Sequence, residues 1–160
     1  MLDVLWNELT AGMADRGHLA IVLLRTITAV ILGGIVGVQR EKVGKPAGLR
    51  THMLVSLGTA VVVLSCQGVG MEMDGLSRVI QGIVTGIGFV GAGTILKLTD
   101  QREIQGLTTA AGLWMTAAIG VAVGLGALGI AVIATVLTVI VLSLQGLEEA
   151  LNKRGQNQGK

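Results

Sequence analysis

The chain has 160 residues: 51% are hydrophobic, 25 are glycine, only 14% are charged, and the formal net charge is +2. Soluble proteins carry roughly 25% charged residues and about 7% glycine, and a domain this small leaves too much surface exposed to hide so much apolar area from water. The composition therefore argues against a water-soluble globule and against disorder, which needs low hydrophobicity; one cysteine (Cys66), two histidines (His18, His52) and three aromatics (Trp6, Phe89, Trp114) leave little for a disulfide, a Cys or His metal cluster or nucleic-acid stacking.

In chain order, residues 1–18 lack the basic start and long apolar core of a signal peptide. Leu2, Leu5, Trp6, Leu9 and Met13 share one helical face, which fits either a short interfacial helix or a frayed terminus. Residues 19–38 are apolar except for Arg25. Residues 53–71 and 79–96 carry no charge, and neither does the run 104–147. As a single helix that last run would be about 66 Å long, against a hydrocarbon core of roughly 30 Å. It must turn back once, and Gly124-Leu125-Gly126 is the hinge the sequence offers. The reading is an all-α polytopic membrane protein with five transmembrane helices near 19–38, 51–69, 78–97, 106–123 and 127–144. Strands are excluded because the segments approach 20 residues and do not alternate polar with apolar. The organisation is an interfacial segment at 1–18, a transmembrane domain at 19–145 and a short tail at 146–160, disordered from 152.

Orientation follows from the basic residues. Arg40, Lys42, Lys45, Arg50, Lys97, Arg102, Lys153, Arg154 and Lys160 fall on one side, and only Arg16 and Arg78 on the other. The richer side is expected to be cytoplasmic, which puts the N-terminus outside and the C-terminus inside.

Spans one–two and three–four resemble two copies of one unit. Arg25 and Arg78 open the pairs, Gly33 and Gly86 follow eight residues later, Arg40-Glu41 and Arg102-Glu103 mark the loops, and Gly48-Leu49 and Gly106-Leu107 restart the chain. Both pairs run in the same sense, so the repeat would be parallel, an arrangement found in transporters. Gly82, Gly86, Gly88, Gly91 and Gly93 crowd the third span, and Gly33 and Gly37 give the first a small-xxx-small face. These glycines fit tight helix packing or, alternatively, backbone carbonyls bared to a pathway. Either way the third span is expected to be the central, most buried helix, with Trp114 packed on its glycine face.

Charges near the membrane form two groups. Arg25 lies roughly 9 Å inside the first span, a depth that requires snorkelling or a partner. Asp74 precedes Arg78 by four residues, the favourable helical spacing, and could cap the third span. Arg25, Asp74, Arg78 and Gln81 are thus expected to form an outer polar cluster. On the inner side Arg40, Glu41, Arg50, Arg102 and Glu103 lie at span ends, as an ion-pair gate (Glu41 with Arg102, Glu103 with Arg50) or a surface for anionic lipid headgroups. Thr108 and Thr109 are expected to cap the fourth span. His52 reads as a hydrogen-bonded interface residue and Cys66 as buried and inert. Pro46 forces a turn. No span contains an acid, so no intramembrane carboxylate site for Mg²⁺ is expected, and no metal or cofactor is called for.

Four blocks carry a family resemblance: Leu24-Arg25 with GGIVGVQRE at 33–41, KPAGLRTHML at 45–54, RVIQGIVTGIGFVGAG at 78–93 and GLTTAAGLWMTAAIG at 106–120. Together they cover spans one to four, and the chain resembles the MgtC/SapB family of bacterial inner-membrane proteins. The resemblance implies a protein tied to survival in low magnesium and, in pathogens, to growth inside macrophages. It also implies a regulatory role linked to the ATP synthase and to membrane potential. It favours a functional role for Arg25, Asp74 and Arg78, which occupy motif positions. Many members carry a soluble C-terminal domain, whereas this chain ends shortly after the fifth span. The leading expectation is a non-enzymatic regulator that docks on other membrane proteins or on itself as a dimer, surrounded by lipid and without nucleic acid. The second is a small dimeric transporter or channel with a path along the third span. An enzyme is third, because no nucleophile–base pair, phosphate loop or metal triad is visible.

Overall fold

A computed structural model describes residues 1–2, 4, 16–98 and 103–158. Five helices account for nearly all of them: α1 Arg16–Lys42, α2 Leu49–Gly68, α3 Met73–Ala92, α4 Leu107–Gly124 and α5 Leu128–Gln158. Among the described residues, four helices are long and apolar enough to cross a membrane, and α5 carries a shorter apolar stretch, Leu128–Leu144. Lipid cannot satisfy backbone groups, so each span holds its own bonds as a helix. Hydroxyls follow the same rule: Thr26, Thr28, Ser65, Thr135 and Ser143 each donate to the carbonyl four residues back.

Turns fall where the sequence supplies helix stops. The Lys45 amide bonds the Arg40 carbonyl and the Gly44 amide bonds the Glu41 carbonyl. This Schellman-type ending needs a left-handed residue, and Gly44 supplies it at φ 67°. The predicted hinge ends α4 in the same way, with Gly126 at φ 84°. One loop differs from expectation. The third span stops at Ala92 rather than 97, and residues beyond it form an antiparallel hairpin of β1 Leu96–Leu98 and β2 Glu103–Gln105. The alternating LKL and EIQ segments suit paired three-residue strands, a pattern hidden when span ends are set by charge alone. The expected disordered tail is also overturned, because α5 continues as helix to Gln158. Leu5, Trp6, Leu9 and Met13, the proposed interfacial face, lie outside the described residues.

The centre of the bundle is α4, not α3. Half of the residues in the apolar window of α4 are buried, against 17% in α3. The helix α4 packs against all four others, while α3 leans on α4 and more lightly on α2. One core joins Ala29, Leu32 and Val36 of α1 to Ala60 of α2, Ile119 and Val123 of α4, and Leu142 of α5. A smaller cluster seats Leu76 of α3 against Val63 and Cys66 of α2.

Glycine sets how closely the central helices approach. A Cβ on Gly33 would stand 2.6 Å from the His52 carbonyl oxygen, and one on Gly37 would stand 2.6 Å from the Leu49 Cα. On α4, a Cβ at Gly124 would stand 2.8 Å from the Val63 Cβ, and one at Gly120 would collide with the Thr59 hydroxyl and the Ser56 carbonyl. So α2 is gripped by a glycine pair from each side, each pair spaced i, i+4. The expected match of Gly33 with Gly86 is corrected by five residues: Gly33 meets His52 in the first hairpin, and it is Gly91 that meets Ala110 in the second, while a Cβ at Gly86 would meet nothing within 4 Å. Both pairs are offset by 58 residues, the spacing between Gly48 and Gly106.

Candidate functional site

The polar residues of the interior gather in two places. The first lies at the end carrying the Pro46 turn. Arg40, in the last turn of α1, is fully buried and its Nη2 donates to the Thr109 hydroxyl at 3.2 Å. His52, in the first turn of α2, is also fully buried, with Nδ1 2.7 Å from the Thr116 hydroxyl. The Thr116 hydroxyl in turn reaches the Gly112 carbonyl at 2.9 Å, so the imidazole, the hydroxyl and the main chain of α4 form one buried chain. Nε2 has no hydrogen-bond partner among the described residues. The imidazole lies over Gly112, where a Cβ would stand in ordinary contact, 3.7 Å from its Cε1. Ser56 extends the cluster one turn inward.

Glu41 serves this end differently from expectation. Its Oε2 accepts the Leu49 backbone N–H at 3.1 Å, so it caps α2 from another helix, where the helix dipole favours a carboxylate. Arg50 and Thr51 line a surface cleft beside it. Arg102 lies outside the described residues, and Glu103 sits on β2 with its side chain outside the described set. Thr108 and Thr109 make no cap: Gly106 holds that position at φ 95°, without a side-chain cap, and Thr109 instead receives Arg40.

The second place is the Gly126 end. Arg25 Nη1 donates to the Gly124 carbonyl at 2.8 Å and to Gln67 Oε1 at 3.0 Å. Gly124 is the last residue of α4, so the guanidinium sits where the dipole is negative and carbonyls lack partners. Arg25 thereby ties α1 to the ends of α2 and α4.

The expected outer cluster of Arg25, Asp74, Arg78 and Gln81 is not assembled. Asp74 and Arg78 pair with each other at 2.7 Å, and both side chains are 76% exposed. Arg25 turns instead to Gln67 and Gly124. Asp74 is in the first turn of α3 but is not its cap, which is Glu72. Gln81 is exposed, and its amide makes no hydrogen bond among the described residues.

The glycines divide in the same manner. Gly91 packs on Ala110, whereas a Cβ added at Gly82, Gly86 or Gly88 would meet nothing within 4 Å, and one at Gly93 would meet only its own helix. Trp114 is half-exposed and lines a groove with Gly88 and Gly91, so it lies along part of the α3 glycine face. Residues that sequence reasoning passes over are Gln67, Thr116, and the Gly120–Gly124 pair. The glycine pair repeats the small-xxx-small spacing already recognised at Gly33 and Gly37. Between the two polar places stand Ala29, Leu32, Ala60, Ile119 and Val123, all apolar and buried. A cavity of about 470 Å³ between α4 and α5 is lined by apolar groups such as Met115, Ile133 and Leu137. Among the described residues no group of His, Cys, Asp and Glu could hold a metal ion.

A bundle of long apolar helices, locked by interhelical glycines and by basic side chains that bond between helices at both ends, defines a polytopic helical membrane protein. Residues 26–150 match the MgtC family model, and the chain belongs to that family. It is 38% identical to SrpB of Synechococcus elongatus over 130 residues, covering 74% of this chain and 71% of that protein. It is 41% identical over 132 residues to YhiD of Escherichia coli K12, whose name assigns it provisionally to magnesium transport; the match covers 76% of this chain and 59% of YhiD. It is 39% identical over 125 residues to MgtC of Salmonella typhimurium LT2, covering 78% of this chain and 52% of MgtC. The chain thus spans little more than half of the last two relatives. No solved structure matches it.

Proposed function

We propose that this chain is a non-enzymatic regulator of the bacterial inner membrane that acts by lateral contact with other membrane-embedded protein. The processes it would serve are those the resemblance implies: magnesium limitation, membrane potential or ATP synthase activity, and intracellular survival. The observation that carries the reading is α3. One face of this helix packs on α4 through Ile87 and Gly91, while Arg78, Gln81, Gly82, Thr85 and Gly86 point away from the bundle. Small and polar residues turned towards lipid gain nothing from lipid, and such residues are the common currency of helix–helix contact in membranes.

Magnesium transport, the second reading, draws on the name of YhiD. The apolar layer of Ala29, Leu32, Ala60, Ile119 and Val123 separates the two polar places, and a hydrated cation has no polar route through it. Purified chain in sealed liposomes is expected to show no Mg²⁺ or proton flux above empty vesicles, and cross-linking in native membranes is expected to trap a lateral neighbour through α3. Sustained, gradient-driven flux would overturn the regulator reading.

A further inference from the structure

The α3 face that the bundle leaves uncovered has a pattern that specifies its occupant. At about 100° per residue, Arg78, Gln81, Gly82, Thr85 and Phe89 form one stripe, opposite Ile80, Ile83 and Ile87, which face α4 and α2. Every residue of the stripe is exposed, Phe89 to 85%. Gln81 lies one turn inward from the exposed Asp74–Arg78 pair, about 4.5 Å further along α3 than Arg78. Its amide offers two donors and one acceptor, and hydrocarbon satisfies none of them. The helix therefore carries an unmet hydrogen-bonding group on its lipid side, followed by Gly82 and Gly86, which let a backbone come close.

Resting on the lateral-contact reading above, we propose that the occupant is a second copy of this chain, related by a two-fold axis along the membrane normal, with α3 against α3 and Gln81 bonded to Gln81. Two copies inserted the same way round can bring α3 together only in parallel. Each stripe residue then meets its own copy at the same depth, so the stripe must tolerate self-pairing, and this one does. A primary amide is both donor and acceptor and is complementary to itself. Gly82 and Gly86 present only backbone to backbone. The Thr85 hydroxyl is already satisfied by the Gln81 carbonyl at 2.9 Å, so it adds no unmet group. Arg78 would face a like charge, but Asp74 at 2.7 Å neutralises it within each copy. With Asp74 paired to Arg78, the stripe presents no net charge, so nothing in its charge selects an acidic or a basic foreign partner.

The test uses the full chain in native membranes, with Cys66→Ser to remove its only thiol. Single cysteines are placed by Gly82→Cys and Gly86→Cys on the stripe and by Ile83→Cys on the packed face. Oxidation is expected to give a band of twice the chain mass from the two stripe positions and not from Ile83→Cys. In detergent, Gln81→Leu should raise the dimer dissociation constant about 5- to 30-fold, as expected for the loss of an interhelical polar contact. Equal cross-linking at all three positions, or a Gln81→Leu variant that associates as well as the parent, would overturn the proposal. A stripe cross-link to a protein of another mass would overturn the second copy while the lateral-contact reading stands. Liposome flux, measured separately, decides that reading itself.

Discussion

The junction of α1, α2 and α4 and the outer face of α3 are both rich in glycine, yet glycine does opposite work in them. In the junction each glycine faces another backbone: Gly33 and Gly37 meet α2 from one side, Gly120 and Gly124 from the other. On α3, Gly82 and Gly86 face nothing within the chain. The same spacing thus marks a finished contact in one region and an unfinished one in the other. A glycine pattern reports how close a neighbour could come; it does not say whether the neighbour belongs to the same chain.

The largest effect should come from filling the junction. Gly120→Leu drives a branched side chain into the Thr59 hydroxyl and the Ser56 backbone. Overpacking typically costs 1–3 kcal/mol, and with backbone on the receiving side a loss of about 3 kcal/mol or more is expected, read by unfolding in mixed micelles with circular dichroism. Gly82→Leu, at the same dilution, should stay within about 0.5 kcal/mol because its side chain enters open space. Comparable losses at both positions would break the comparison. His52→Ala should come next. It removes a fully buried ring and its bond to Thr116, and lost bonding plus the cavity should cost about 2–3 kcal/mol.

Much of this junction is legible in the sequence, for a physical reason. A bilayer penalises charge everywhere along a span, so span number and turn positions follow from where charge stops. Pro46 and Gly126 sit where the chain turns for reasons carried by single residues. Gly33 and Gly37 announce a close approach through spacing alone. The partner of Arg25 is not legible, because it is the main-chain carbonyl of Gly124 together with Gln67, and a helix end offers such a carbonyl whatever its side chains are. The burial of Arg40 is hidden by its place in a basic loop motif, where positive-inside reasoning applies equally to every cation. The centrality expected of α3 fails because glycine content is not burial; the outward direction of Gln81 and Thr85 is the contrary signal.

Arg25 sharpens the comparison further, since it ties the junction together at the Gly126 end. Arg25→Ala removes a charge-assisted bond to a helix end and one to Gln67, and should cost about 2 kcal/mol. Arg25→Lys keeps the charge but loses the planar guanidinium whose Nη1 reaches both acceptors, so about half of that loss should return. If both variants unfold like the parent, the guanidinium snorkels into the headgroups and the tie does not exist.

Arg78 should give the smallest effect, and for that reason it is the most discriminating. It is an arginine near the same end of the membrane as Arg25, but its ion pair with Asp74 is 76% exposed on both sides. Exposed i, i+4 pairs contribute about 0.3–0.5 kcal/mol, and salt screens them. In dilute micelles, where the chain stands alone, Arg78→Ala should therefore shift stability by about 0.5 kcal/mol or less, and the shift should shrink further in high salt. A loss above about 1 kcal/mol that survives salt would mean that the guanidinium reaches a buried acceptor within the chain, as Arg25 does. The outward stripe of α3 would then begin only at Gln81, one turn deeper in the membrane.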